Sequence, residues 1–281
     1  MTFSENNWFR GKNFSFPLGK KTYVMGILNV TPDSFSDGGK FFSYENALSH
    51  AQQMEAAGAD IIDVGAWSTR PGSVRITVEE EIERLSCLPA LCDRLSVPVS
   101  VDTFNVKTAA YALDCGAAII NDVSGKYNPA MAELVRANGC GYIVMHAPLA
   151  EAGTDMVYPN GVCADIDAFF TQMLEQLTAA GIDAAQICLD PGFGFSKNTQ
   201  DNLDILQHLD TLKRDGVCLL SAPSRKRFLG DVAGIKEADK RDVATAAAGV
   251  ISIQKGADMI RVHDVAGCMQ AVRTADAIYR R

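Results

Sequence analysis

Eight short apolar runs recur along this chain, and each ends in, or just before, a polar residue suited to chemistry. Residues 23–28 run into Asn29, 59–65 into Ser68-Thr69-Arg70, 97–101 into Asp102, and 117–120 into Asn121-Asp122. Residues 142–145 run into His146, 187–189 into Asp190, 217–220 toward Ser224-Arg225-Lys226, and 259–260 into Arg261-Val262-His263-Asp264. A near-continuous apolar run of this length reads as a parallel strand buried on both faces. Amphipathic stretches separate the runs, at 44–57, 76–95, 105–115, 128–138, 164–180, 198–213, 240–255 and 265–279, so the chain alternates β and α. An open doubly wound sheet would share that alternation but gather ligands mainly at its switch point. Polar groups after every strand instead predict an α/β chain closed into a (β/α)8 TIM barrel with one mouth.

Several further readings depend on composition. At 281 residues the chain fits one barrel, residues 1–281 as a single domain. Lys plus Arg less Asp plus Glu is 26 − 34 = −8, with no basic cluster, which argues against nucleic acid as a main partner. No apolar stretch is long enough to span a bilayer and residues 1–12 hold no apolar signal core, so no membrane association is expected. The eight cysteines form no C-x-x-C pair; reduced, mostly buried thiols in a cytoplasmic protein are expected. Residues 13–22 read as a short N-terminal β-hairpin plugging the barrel floor. The irregular segments 31–42, 66–75 and 147–163 follow strands, where mobile lids often lie.

The strand ends divide by chemistry. Ser68-Thr69-Arg70-Pro71-Gly72 and Ser224-Arg225-Lys226, the latter opening a helix, offer hydroxyls, cations and backbone N–H groups to an anion. Arg261 and His263 alternate on one side of the last strand and add to them. Each of Arg70 and Arg225 alone could equally be a surface ion-pair partner. Asp102, Asn121 and Asp190 end three strands that converge on the barrel axis. With Lys226 they suit a flat, donor-rich heterocycle of guanine or pterin type. Phe195 reads as an aromatic wall; Met145 with His146 could give a soft apolar floor and a donor, although a lone methionine there is more often core. Asn29 and Asp37 supply hard oxygens for a Mg²⁺ shared with substrate phosphates; for Asp37 a plain surface turn competes.

These stretches, in this order, resemble the dihydropteroate synthase family. The resemblance is carried by GILNVTPDSFSDGG (26–39), STRPG (68–72), SVDT (100–103), IND (120–122), DPGFGF (190–195), SRKRFLG (224–230) and RVHDV (261–265), and covers residue 22 to the end. It implies a TIM barrel, usually dimeric, that joins p-aminobenzoate to a dihydropterin diphosphate. It implies that Asp102, Asn121, Asp190 and Lys226 hold the pterin with Arg261 stacked on it. Thr69, Arg70, Asn29, Arg261 and His263 would hold the diphosphate with Mg²⁺, and Ser224, Pro71, Phe195 and Lys226 would border the aminobenzoate. Lys226, Asp102, Asp190, Arg261 and His263 are the expected catalytic residues. The chain departs from the family pattern at Trp67, at Ala147-Pro148-Leu149 and at Ala222-Pro223. Two other readings stand beside the synthase: a folate-dependent methyltransferase, which needs no diphosphate site, and a pterin-binding paralogue without synthase activity.

Overall fold

The computed structural model describes residues 7–30, 39–67, 76–148 and 156–280. In it the eight apolar runs become strands β3 (Tyr23–Asn29), β4 (Ile61–Gly65), β5 (Val99–Asp102), β6 (Ile119–Asp122), β7 (Gly141–Met145), β8 (Ile187–Asp190), β9 (Cys218–Ser221) and β10 (Met259–Val262). Every neighbouring pair is parallel, and β10 pairs with β3 to close the barrel. β1 (Trp8–Gly11) and β2 (Phe14–Pro17) form a separate antiparallel pair before it.

Side chains alternate across each strand. One set, including Val24, Leu28, Ile62, Val64, Val101 and Ile120, faces outward and packs with helix residues such as Ala51, Met54, Leu88, Ala109 and Met131. The other set fills the lumen: Met25, Ile61, Ile119, Ile143, Cys188, Cys218, Leu220 and Met259 form one cluster with Phe9 and Phe14 of the hairpin. The hairpin therefore plugs the barrel, but it begins earlier than 13–22. Its turn is Lys12-Asn13, because Phe9 and Phe14 both belong under the lumen. Lys12 N–H donates to the Gly139 carbonyl just before β7 (2.8 Å), which places the plug at the strands' N-terminal ends. The Pro17-Leu18-Gly19 turn instead leads into β3, with Gly19 at φ +83 and Tyr23 Oη donating to the Pro17 carbonyl (2.9 Å).

The helices are α1 (Gly39–Ala57), α2 (Val78–Arg84), α3 (Leu88–Arg94), α4 (Val106–Asp114), α5 (Pro129–Asn138), α6 (Val162–Ala179), α7 (Thr199–Gln207), α8 (Arg227–Ala233), α9 (Asp242–Gln254) and α10 (Val265–Tyr279). Their ends follow local chemistry. Asn128 caps α5 with Pro129 in its first turn and Gly139 left-handed after it. Asn198 and Asp201 form a capping box on α7. The single helix expected over 76–95 is interrupted by a 3₁₀ turn, Leu85–Cys87. Pro89 sits in the first turn of α3 and has no N–H to continue the ladder of α2. The 198–213 stretch likewise splits after Gln207 into a 3₁₀ turn, Leu209–Leu212. α1 starts at Gly39, so the segment expected to be irregular over 31–42 is helical at its end. Most of the expected lids (31–38, 68–75 and 149–155) lies outside the described residues, as do Asp37, Thr69, Arg70 and Pro71.

Candidate active site at the barrel mouth

The lumen changes character toward the mouth. Two residues beyond the apolar floor, the inward positions become Asp63 on β4, Asn121 on β6, Asp190 on β8 and Arg261 on β10, while on β5 Asp102 follows the buried Ser100 and on β7 the inward Met145 stays apolar. Asp102, Asn121, Met145, Asp190, Phe195, Lys226 and Arg261 line one small pocket there, with Val123, Phe193 and Ala222 completing it. Five strands and three loops, spread over about 160 residues of sequence, meet at this point because the barrel tilts all strand ends onto one axis.

Arg261 is the electrostatic hub. Its Nε donates to Asp63 Oδ2 at 2.6 Å and its Nη2 to Asp102 Oδ2 at 3.1 Å. Burial works against the guanidinium charge, but the two carboxylates more than offset it and hold it cationic. The same burial pushes the Asp102 carboxyl up to about 7; Arg261 pulls against that rise and Asp63 adds to it. Asp190 is also raised by burial, although its Oδ1 accepts the Gly192 N–H at 2.7 Å. Asn121 Nδ2 donates to Asp63 Oδ2 (3.1 Å), while its Oδ1 is buried without a partner among the described residues. A buried, unpaired amide oxygen costs free energy that a ligand N–H can recover.

The loops after β9 and β10 bring Lys226, Ser224 and His263 to the same mouth. Lys226 Nζ lies 4.3 Å from the centroid of the Phe195 ring. Gly194, at φ +78, lets the lysine stem cross the loop: a Cβ there would stand 3.0 Å from Lys226 Cδ. Ser224 Oγ and His263 Nδ1 are 2.9 Å apart, and Ser224 Oγ also accepts the His263 backbone N–H at 3.1 Å. Arg225 does not join them. Its guanidinium makes a bidentate pair with Asp242 on α9, Nε to Oδ1 and Nη2 to Oδ2, each 2.7 Å. It sits at φ +57, a backbone turn that aims the side chain outward. The expectation that Arg225 binds an anion is thus replaced by the ion-pair reading.

Two buried charges close to the mouth escaped the sequence reading. Asp63 was hidden inside the run 59–65, although a carboxylate at an inward position of a buried strand is itself a signal. Lys197, only 6% exposed, lies behind the loop after β8, and nothing in its local sequence marks it as buried. His146 points away from the pocket: its Nε2 is 2.9 Å from Asp165 Oδ2 on α6, and burial pulls its pKa down to about 4.

The family model described as pterin binding enzyme matches residues 25–263. The chain is 39% identical to the dihydropteroate synthase of Bacillus subtilis, across 100% of this chain and 96% of that one. It is 42% identical to a folate synthesis bifunctional protein of Arabidopsis thaliana over 93% of its own length, but spans only 57% of that longer protein. A crystal structure of dihydropteroate synthase from Clostridium difficile in the presence of pteroic acid superposes with a TM-score of 0.89. The match has 39% identity and covers 95% of this chain and 100% of that one.

Proposed function

The chain belongs to the dihydropteroate synthase family of pterin-binding enzymes, and from that premise we propose that it joins p-aminobenzoate to 6-hydroxymethyl-7,8-dihydropterin diphosphate, giving 7,8-dihydropteroate and diphosphate in folate synthesis. The observation that carries the reading is the meeting of Asp102, Asn121, Asp190, Lys226 and Arg261 around one pocket.

The pterin presents ring N–H and exocyclic amino donors to Asn121 Oδ1 and to the carboxylates of Asp102 and Asp190. Lys226 donates to its ring nitrogen or carbonyl, and the Arg261 plane stacks on it. Breaking the methylene C–O bond leaves negative charge on diphosphate and positive charge on the pterin carbon. Arg261 and His263, with Thr69 and Arg70, stabilise the first. Asp102 and Asp190 stabilise the second. The arylamine nitrogen attacks the carbon from a subsite bordered by Ser224, Pro71, Phe195 and Lys226, then loses its proton to solvent. A methyl transfer would need no anion site, so the Ser224–His263 pair favours the synthase.

Mg²⁺ fits the mouth at Asn29. Asn29 Oδ1 and Asp102 Oδ2 lie 3.7 and 3.9 Å from where a Cβ on Gly65 would stand, so hard oxygens flank the space that the glycine leaves. Asn29 and Asp37 would hold the ion, which when bound neutralises charge on the departing diphosphate. The chain pairs as a homodimer; exposed Val243 and Ile251 on α9 and Ile278 on the adjoining α10 support this. It works in the cytoplasm, which suits eight free cysteines; among the described residues no helix is long and apolar enough to cross a membrane.

The test is diphosphate release from the dihydropterin diphosphate, followed with and without p-aminobenzoate. Release that depends on the amine, with dihydropteroate as product, is expected. Binding without turnover would leave the inactive paralogue, and methyl transfer from a tetrahydrofolate would install the methyltransferase.

A further inference from the structure

Lys197 is a buried ammonium that the chemistry above does not use. Its Nζ donates to three backbone carbonyls, those of His146 (3.1 Å), Gly192 (3.0 Å) and Phe195 (3.1 Å). An ammonium has three N–H donors, so all are spent. No carboxylate hydrogen-bonds it among the described residues; Asp190, Asp165 and Asp201 act on it only through space. Neutral carbonyls compensate poorly for burying a charge, and burial pulls its pKa down to about 7. A fold that needed only to fill this space could do so with an apolar side chain at less cost.

What the ammonium ties together is specific. The His146 carbonyl belongs to the residue after β7, and the other two carbonyls belong to the loop after β8. That loop is closely folded. Gly192 sits at φ +71 against the His146 carbonyl, where a Cβ would collide. Ser196 is left-handed at φ +50, pinned by its own Oγ on the Pro148 carbonyl (2.8 Å) and by Tyr158 Oη on its carbonyl (3.0 Å). Asn202 backs it from α7, taking the Gly194 N–H at 2.7 Å. Phe195 is thereby held from both ends, its carbonyl on Lys197 and its ring under Lys226. Asp190 depends on the staple less, because it is anchored in β8 and by the Gly192 N–H.

We propose that Lys197 is a positioning residue for the arylamine subsite: by stapling the loop after β8 to the end of β7, it sets where the Phe195 ring stands. The proposal rests on the synthase reading. Loss of the ammonium frees the Phe195 carbonyl and lets the ring drift, while the pterin grip through Asp102, Asn121 and Asp190 is kept. The two substrates should therefore respond differently, which a general loss of stability would not produce.

The test is the full chain carrying Lys197→Met, compared with the unaltered chain in the diphosphate-release assay. We expect the KM for p-aminobenzoate to rise about tenfold or more, with kcat within about threefold and the KM for the dihydropterin diphosphate within about twofold. Equal rises in both KM values, or no rise in either, would overturn the proposal. Lys197→Gln retains two donors and serves if the methionine variant does not fold; the same split, smaller in size, is expected, and its absence is equally fatal. Amine-dependent release by the unaltered chain with no split in the variants refutes the positioning role alone. If the unaltered chain shows no such release, the synthase reading fails instead.

Discussion

The floor and the mouth of this barrel are built from the same strands, two residues apart, yet they obey different physics. On β4 the inward residues are Ile61 then Asp63, on β6 Ile119 then Asn121, on β8 Cys188 then Asp190, and on β10 Met259 then Arg261. Below, the hairpin seals an apolar cluster in which tight packing is the only requirement. Above, the same burial strands charges whose partners must be exact; Arg261 holds two carboxylates at once, and Asn121 keeps an unpaired oxygen. One end stores stability and the other spends some of it to prepare a binding surface.

If that division holds, mutations at the two ends separate cleanly. Phe9→Ala, at the centre of the plug and fully buried, should cost about 3–5 kcal/mol in denaturant unfolding. The folded fraction should keep its kcat/KM. Catalysis falling in step with each loss of floor packing would break the comparison. The converse substitution at the mouth, Asp190→Ala, should lower kcat/KM at least ~10²-fold, which is about 2.7 kcal/mol of transition-state stabilisation. Its Tm should fall little or even rise, since burial already disfavours this carboxylate. Near-normal turnover would remove Asp190 from the pterin grip.

The floor was legible in the sequence and the mouth only in part, for the same reason. An apolar run announces a buried strand by itself, so eight strands and their order follow directly from eight runs. A polar residue at a strand end announces only that it lies near the mouth. Asp102, Asn121, Asp190, Lys226 and Arg261 do converge. Arg225 stands in the same motif as Lys226 but is turned away, because its direction depends on a left-handed φ and on Asp242, seventeen residues later. Asp63 and Lys197 are the opposite failure. Their importance lies in burial: Asp63 betrays it by standing at an inward position of an apolar run, whereas burial of Lys197 is a tertiary fact with no local period. The hairpin's early start has the same origin: its turn is fixed by where Phe9 and Phe14 must reach, not by Pro17 or Gly19.

A pH profile sharpens the contrast further. Burial raises Asp102 to about 7, so in the free enzyme it is neutral below that pH and charged above it. In the proposed reaction the charged form balances positive charge on the pterin, so that reaction would require deprotonation. The kcat/KM for the dihydropterin diphosphate, measured at saturating p-aminobenzoate so that Lys197 does not enter, should fall as pH drops through 7, by roughly tenfold between pH 8 and pH 6. Asp102→Asn should be slow but flat over that window. The sign for stability is the reverse: with its folded pKa above the unfolded value, the folded state holds the proton longer. This group therefore destabilises the fold as pH rises from about 4 to about 7. An unchanged profile in Asp102→Asn would assign the limb to another group.

The smallest expected effect concerns Arg225, which sits at the mouth in sequence but belongs to the scaffold by its contacts. Its bidentate pair with Asp242 spans two quarter-exposed side chains, so solvent screening limits its worth. Arg225→Met should cost about 1 kcal/mol in unfolding. The KM for the dihydropterin diphosphate should stay within about twofold, because the guanidinium is committed to α9 and the Ser224–His263 pair does not lean on it. A tenfold rise in that KM with unfolding unchanged would mean that the guanidinium leaves Asp242 for the diphosphate. The boundary between scaffold and mouth would then run one residue further out along the loop that carries Lys226.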